Sequence, residues 1–167
     1  YLFYKVIPFL KIMDIYYVTR IDPKVKYNAK HFKEEIEAYL ADPDGWISQG
    51  YRFRYTTKNP SVIIELCHPD TLASNGCHDS YLSCAELGGH RMYLNSDRWT
   101  KGASKSKLEL KHYRQYMVTH EMGHILGHDH TKCTGKNHPA PLMMQQTLGI
   151  GQCKPNTKLT EADKIKK

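Results

Sequence analysis

The stretch that most constrains this chain is VTHEMGHILGHDH, residues 118–130, which holds four of its ten histidines: His120, His124, His128 and His130. Side chains four residues apart on an α-helix stack on one face, one turn apart. His120 and His124 can therefore converge on one ion. Glu121 stands about 100° further round the helix, beside such an ion without ligating it, where a base is needed. A catalytic zinc takes three protein ligands and leaves a fourth position open. His128 continues the stripe, but on an unbroken helix it would lie roughly 12 Å along the axis from His120, at ~1.5 Å per residue. Zn–N bonds of ~2.0–2.1 Å cannot span that separation. The chain must leave the helix and fold back. Gly127 accepts the left-handed conformation that ends helices, and His130 follows three residues later. The expected zinc ligands are therefore His120, His124 and His130. His128 is the extra histidine, directed at solvent or hydrogen-bonded nearby, and Asp129 ranks below His130 as a ligand. The full H-E-x-x-H-x-x-G-x-x-H spacing arises by chance in on the order of one in ten thousand chains of this composition.

The rest of the first half reads as alternating elements. IYYVTRI (15–21) has the β-branched and aromatic residues of a strand. AKHFKEEIEAYLA (29–41) puts Phe32, Ile36, Tyr39 and Leu40 on one helical face, with Asn28 as a cap and DPDGW (42–46) as the stop. YRFRYTT (51–57) alternates, and SVIIEL (61–66) is apolar enough for a central strand. YLFYKVIPFL (1–10) and HRMYLN (90–95) also read as strands. Residues 67–89 read as a long loop pinned by Cys77 and Cys84. The longest helical pattern runs from about Lys107 to Leu126, with Leu110, Tyr113, Met117, His120 and His124 near one stripe. Past Gly127 the chain reads as mostly irregular, with LTEADKIKK opening a last helix capped by Thr160.

Length and composition bound the class. The chain has 167 residues, enough for one domain with a single core, 1–167. No run approaches the ~20 apolar residues of a membrane span. Tyr1 is not an initiator methionine, so the chain reads as a fragment or mature form. The net charge of +7 is spread along the sequence and favours solubility, with no nucleic-acid motif to suggest a specific nucleic-acid partner. Of five cysteines, Cys77 and Cys84 close a small loop, while Cys133 and Cys153 bracket the segment after the histidines. Two disulfides in an oxidising compartment fit this and leave Cys67 spare; five reduced thiols in a cytosolic protein is the competing reading. No C-x-x-C pair supports cysteine ligation of zinc.

His120, Glu121, His124, Gly127 and His130 match the extended zinc motif of the metzincin clan of metallopeptidases, and PAPLMMQQT (139–147) resembles its downstream methionine turn, through Met143 or Met144. A closer resemblance covers most of the chain. LADPDGW (40–46), NSDRWTKGA (95–103), YRQYMVTHEMGHILGHDHTKC (113–133) and APLMMQQTLGIGQCKPN (140–156) are similar to a largely uncharacterised metzincin-like family known mainly from actinobacterial extracytoplasmic proteins. That alignment places Met143 on the family's methionine. Three features depart from it: a high content of Lys and Tyr, the ending TKLTEADKIKK, and Cys67.

The resemblance implies an α+β metzincin-like domain: a mixed twisted sheet packed on an active-site helix, then an irregular C-terminal part with the methionine turn. It implies a secreted zinc endopeptidase acting on a peptide or protein substrate, with Glu121 as base for a metal-activated water. Substrate would lie along an edge strand, for which HRMYLN is the candidate. Tyr93, His112 and His138 are candidate donors to the transition-state oxyanion. Asp44, Gly45, Trp46, Arg98 and Trp99 resemble family positions and read as structural rather than as substrate contacts. The other classes are a catalytically silent zinc-containing binding module and an interaction protein using a basic surface on an anionic partner. An intact Glu121 argues against the former, since a structural zinc site has no use for a base.

Overall fold

A computed structural model describes residues 11–165, so the strand expected at 1–10 lies outside the described residues. Five strands form one sheet: β1 (Met13–Ile21), β2 (Tyr51–Tyr55), β3 (Val62–Cys67), β4 (Cys84–Ala85) and β5 (Arg91–Asn95), in the order β2-β1-β3-β5-β4. All pairings are parallel except that of β4 on β5. β3 lies at the centre, and its run of Val62, Ile64 and Leu66 is buried, as its apolar sequence requires. β1 and β2 are also linked on an exposed face, where Asp14 accepts from Arg52 at 2.7 Å and Arg54 at 3.0 Å. These two hydrogen bonds hold the Asp14 carboxyl down at about 2.

Helix α1 (Ala29–Leu40) starts where the Asn28 side chain accepts from the His31 amide at 2.8 Å. Its buried residues are Phe32, Ile36, Tyr39 and Leu40, the four expected from their spacing. The segment read as a loop after β3 contains more structure. Helix α2 (Pro69–Ser74) begins with proline at its first position, and β4 follows on the other side of the Cys77–Cys84 disulfide. α2 is short and β4 is two residues long, so neither carries a detectable apolar period. Helix α3 (Ser96–Lys101) follows β5 directly, with the Asn95 side chain accepting from Asp97 and Arg98 amides.

The long helix α4 spans Leu110–Ile125. It starts later than expected because Lys107 adopts the left-handed conformation (φ 56°) after a 3₁₀ turn at Ser104–Ser106. Leu110 is accordingly exposed, whereas Tyr113, Met117, His120 and His124 are buried. The main core lies where α1 and α4 meet the sheet, with Trp46 and Trp99 buried in it. Trp99 packs edge-on against Phe32 at 5.2 Å between ring centroids. Both tryptophans are core residues, not lip residues. Beyond residue 126 the only regular elements among the described residues are 3₁₀ turns at Gln146–Leu148 and Glu161–Lys164. The latter, in place of the expected last helix, carries a capping box between Thr160 and Asp163.

β5 is not an edge strand. β4 pairs with it, Cys84 opposite Tyr93 and Ala85 opposite Met92, and stands at the margin of the sheet. The expectation that HRMYLN offers a free edge is corrected accordingly: the edge belongs to β4.

Candidate metal centre

Helix α4 ends in a Schellman arrangement. The amide of Gly127 donates to the His124 carbonyl at 2.9 Å, and that of His128 to the Gly123 carbonyl at 2.9 Å. Gly127 holds φ at 92°, as this cap requires. The chain then reverses and returns His130 to His120 and His124. One ring nitrogen from each lies within 4.8 Å of the others. His124 Nε2 and His130 Nε2 are 3.0 Å apart, and the His120 and His130 rings stack with centroids 5.3 Å apart.

Two of the rings are oriented from behind. His120 Nδ1 lies 2.8 Å from the Leu142 carbonyl oxygen, and His124 Nδ1 lies 2.7 Å from that of His128. A carbonyl can only accept, so each Nδ1 carries the proton and each Nε2 presents its lone pair. Burial disfavours the charged imidazolium and is the main cause of the downward shift at all three histidines; neighbouring rings add to it at His120 and His124, whereas at His130 the carboxylate of Asp129 opposes it. His120 falls to about 3, and His124 and His130 move in the same direction. Three neutral nitrogen donors result.

Glu121 is buried, and its Oε2 has no hydrogen-bond partner. Burial alone pushes its carboxyl up to about 8. A cation beside it would reverse that sign. His120, Glu121, His124 and His130 open onto a cavity of about 330 Å³ whose lining also includes Leu82, Ser83, Ala85, Tyr116, Met117 and Gln145. Tyr113 and Thr147 also line it, joined by a 2.8 Å hydroxyl hydrogen bond.

Met143 is fully buried, while Met144 is half-buried. The approach of Met143 to α4 depends on Gly123: a Cβ there would overlap Met143 Sδ and lie 2.7 Å from Trp46 Cζ2. Trp46 is itself fixed by donating from its indole nitrogen to the Thr119 carbonyl at 2.7 Å.

A model of the protein family described as "Protein of unknown function (DUF3152)" matches residues 13–166. The chain belongs to that family. No curated protein matches the DUF3152 chain. Among solved structures, it is similar to archaemetzincin from Archaeoglobus fulgidus, at 19% identity and TM-score 0.53, over 92% of this chain and 100% of the other. It is likewise similar to archaemetzincin from Methanopyrus kandleri, at 12% identity and TM-score 0.53, over 95% of each chain. The DUF3152 chain thus has an archaemetzincin-like fold, with the mixed sheet and long helix expected of a metzincin-like domain.

Several expected residues fall elsewhere. His128 does not face solvent; it is buried, its ring 4.6 Å from that of Trp46. Asp129 lies at the cavity rim, and its Oδ1 accepts from the His130 amide at 2.7 Å. None of the three candidate oxyanion donors lines the cavity. His112 and His138 are exposed, and Tyr93 is buried with Cys67, Leu72 and Cys77 in a cluster separate from the main core. Both expected disulfides, Cys77–Cys84 and Cys133–Cys153, are present, and Cys67 is a buried free thiol. No helix among the described residues is long and apolar enough to cross a membrane. Sequence reasoning missed the Leu142 and His128 carbonyls behind the rings, because backbone acceptors leave no mark in a residue pattern.

Proposed function

We propose that this chain is a zinc-dependent metalloendopeptidase, with His120, His124 and His130 as metal ligands, Glu121 as catalytic base and Met143 as the methionine beneath the site. The observation that carries the reading is the convergence of three neutral imidazoles next to a buried carboxyl with an unpartnered oxygen, all facing one cavity. Nitrogen donors of this kind suit zinc. Bonds of ~2.0–2.1 Å in a tetrahedron set neighbouring nitrogens about 3.3 Å apart, near the 3.0 Å between His124 and His130. The orphaned Glu121 oxygen has a use only if a proton donor or cation enters the cavity.

Zinc held there would supply a Lewis acid that polarises the scissile carbonyl and acidifies water. The protein's own groups do the rest. Glu121, ionised beside a cation, takes the proton of the attacking water and passes it to the departing amine. The Leu142 and His128 carbonyls fix the ring orientations, so the donor set is prepared before substrate arrives. An extended peptide can pair with the sheet margin at β4, whose Cys84 and Ala85, with Ser83 before them, line the cavity. The two disulfides support a secreted or extracytoplasmic setting.

The test is a peptide-library digest with wild type and Glu121→Gln. Wild type should cleave, and the variant should lose on the order of 10²–10⁴ in rate while keeping its metal. Cleavage by the variant at the wild-type rate removes Glu121 from the mechanism. Metal retention without cleavage by either protein favours a silent binding module.

A further inference from the structure

We infer that Asp163 is a positioning residue for the metal centre, acting on His120 through a single peptide group. The inference rests on the reading of His120 as a metal ligand and adds to it a residue twenty positions beyond Met143. Asp163 Oδ1 accepts from the Met143 amide at 2.8 Å. That amide N–H and the Leu142 carbonyl belong to one peptide unit. The Leu142 carbonyl in turn accepts from His120 Nδ1 at 2.8 Å. A continuous path therefore runs from carboxylate to peptide to imidazole, and ends at the Nε2 that faces the cavity.

The other carboxylate oxygen anchors the path. Asp163 Oδ2 accepts from the Leu142 amide at 2.8 Å, the Thr160 amide at 2.8 Å and the Thr160 hydroxyl at 2.9 Å. Asp163 is only 1% exposed, and its partners are all donors. That set matches an ionised carboxylate, which only accepts. It also clamps two successive amides of the methionine turn, so the Leu142 carbonyl cannot swing away from His120.

Metal-binding histidines commonly donate their second N–H to a carboxylate, which fixes the tautomer and raises ligand basicity. Here a peptide group stands between the two. Negative charge on the N–H side of a peptide polarises it and strengthens its carbonyl as an acceptor, because linked hydrogen bonds reinforce one another. His124 provides an internal contrast. Its Nδ1 meets the His128 carbonyl at 2.7 Å, and among the described residues no carboxylate accepts from the amide of that peptide unit. A turn-stabilising role alone would give Asp163 the same capping box but no selective hold on His120.

The experiment compares wild type and Asp163→Asn by zinc competition with a chelator and by nitrogen–proton NMR of the histidine Nδ1–H signals in zinc-loaded protein. Asp163→Asn should raise the zinc dissociation constant about 10- to 100-fold. It should move the His120 Nδ1–H signal upfield and leave that of His124 in place. A folded variant with unchanged zinc affinity and an unmoved His120 signal overturns the inference. So does a variant in which both histidine signals move together, since that reports general loosening. If Asp163→Asn does not fold, Asp163→Glu carries the test. It keeps the charge but displaces the carboxylate, and should move the same two readouts in the same direction by less; a folded Asp163→Glu that moves neither contradicts the inference. Wild-type protein that takes up no zinc overturns the metal reading and this inference with it, whereas tight zinc binding by both proteins overturns this inference alone.

Discussion

Residues 13–126 and residues 127–165 support the candidate centre in different ways. The first region is a sheet and helices around an apolar core, and it supplies His120, Glu121 and His124 from a helix buried along most of its length. The second has almost no regular structure, yet supplies His130, the Leu142 carbonyl and Met143. It is held by side chains bonded to backbone. Gln146 donates to the Pro141 and Asn156 carbonyls and accepts from the Asn156 amide, Asn156 donates to the Ala140 carbonyl, and Asp163 grips two amides. The Cys133–Cys153 disulfide closes it, and a bridge between Pro139 and Lys154 lies within. Burial of apolar surface is spread over many contacts and tolerates adjustment. A few polar tethers do not, because each leaves a buried group unsatisfied when its partner goes. The contrast teaches that the two regions should fail differently.

The largest expected effect lies in the first region. Ile64→Ala, in the fully buried centre of β3, should cost about 2–5 kcal/mol in denaturant unfolding. The protein that remains folded should still bind zinc as wild type does; a large loss of zinc affinity in the folded fraction would break the comparison. Next comes the second region. Replacing Cys133 and Cys153 with serine opens a loop of sequence separation 20 and should cost about 3 kcal/mol by chain entropy. Zinc affinity should fall alongside, because the segment between them carries Leu142 and Met143. The Cys77–Cys84 loop, of separation 7, should cost about 2 kcal/mol and spare the zinc ligands. Equal zinc loss in both pairs would contradict the assignment of tethers. Gly123→Ala acts where the two regions touch. Its Cβ would crowd Met143 and Trp46, and overpacking of this kind costs about 1–3 kcal/mol, read as a lowered melting temperature.

A separate signature is the pH dependence of the zinc-free protein. His120 is lowered from 6.5 to about 3 by burial, so the unfolded chain binds its proton first. Its contribution is fully present above about pH 6.5 and is lost as pH falls towards 3. Glu121 has the opposite sign. Raised from 4.5 to about 8, it contributes fully below about pH 4.5, and that contribution is lost as pH rises through 8. Chelated wild type should therefore lose stability on the alkaline side, and Glu121→Gln should flatten that side alone. Denaturation curves between pH 4 and 9 decide it; an unchanged alkaline slope in the variant would place Glu121 in a different environment.

What could be read from the sequence follows the same division. The face of α1 and the centrality of β3 are written as apolar periodicity, which survives without tertiary context. The convergence of His120, His124 and His130 was legible because helix geometry separates His128 from His120 and Gly127 permits the return of His130. α3 was missed although Asn95 followed by Ser96 and Asp97 is a helix-start signal, since six residues give too short a period to detect. β4 was missed for the same reason, and with it the true edge of the sheet. The oxyanion candidates failed because residue type says nothing about where a side chain ends up: His112 and His138 are exposed, and Tyr93 packs in a different cluster from its strand neighbours Met92 and Leu94. Asp163 lay beyond reach because its partners are amides 20 and 21 residues away, fixed by tertiary folding alone.

The most direct test of the central claim is metal analysis of purified wild type, His130→Ala and His128→Ala after dialysis against a weak chelator. A single bound zinc is expected in wild type and in His128→Ala, and its loss in His130→Ala. Zinc absent from wild type, or retained in His130→Ala and lost in His128→Ala, would contradict that claim.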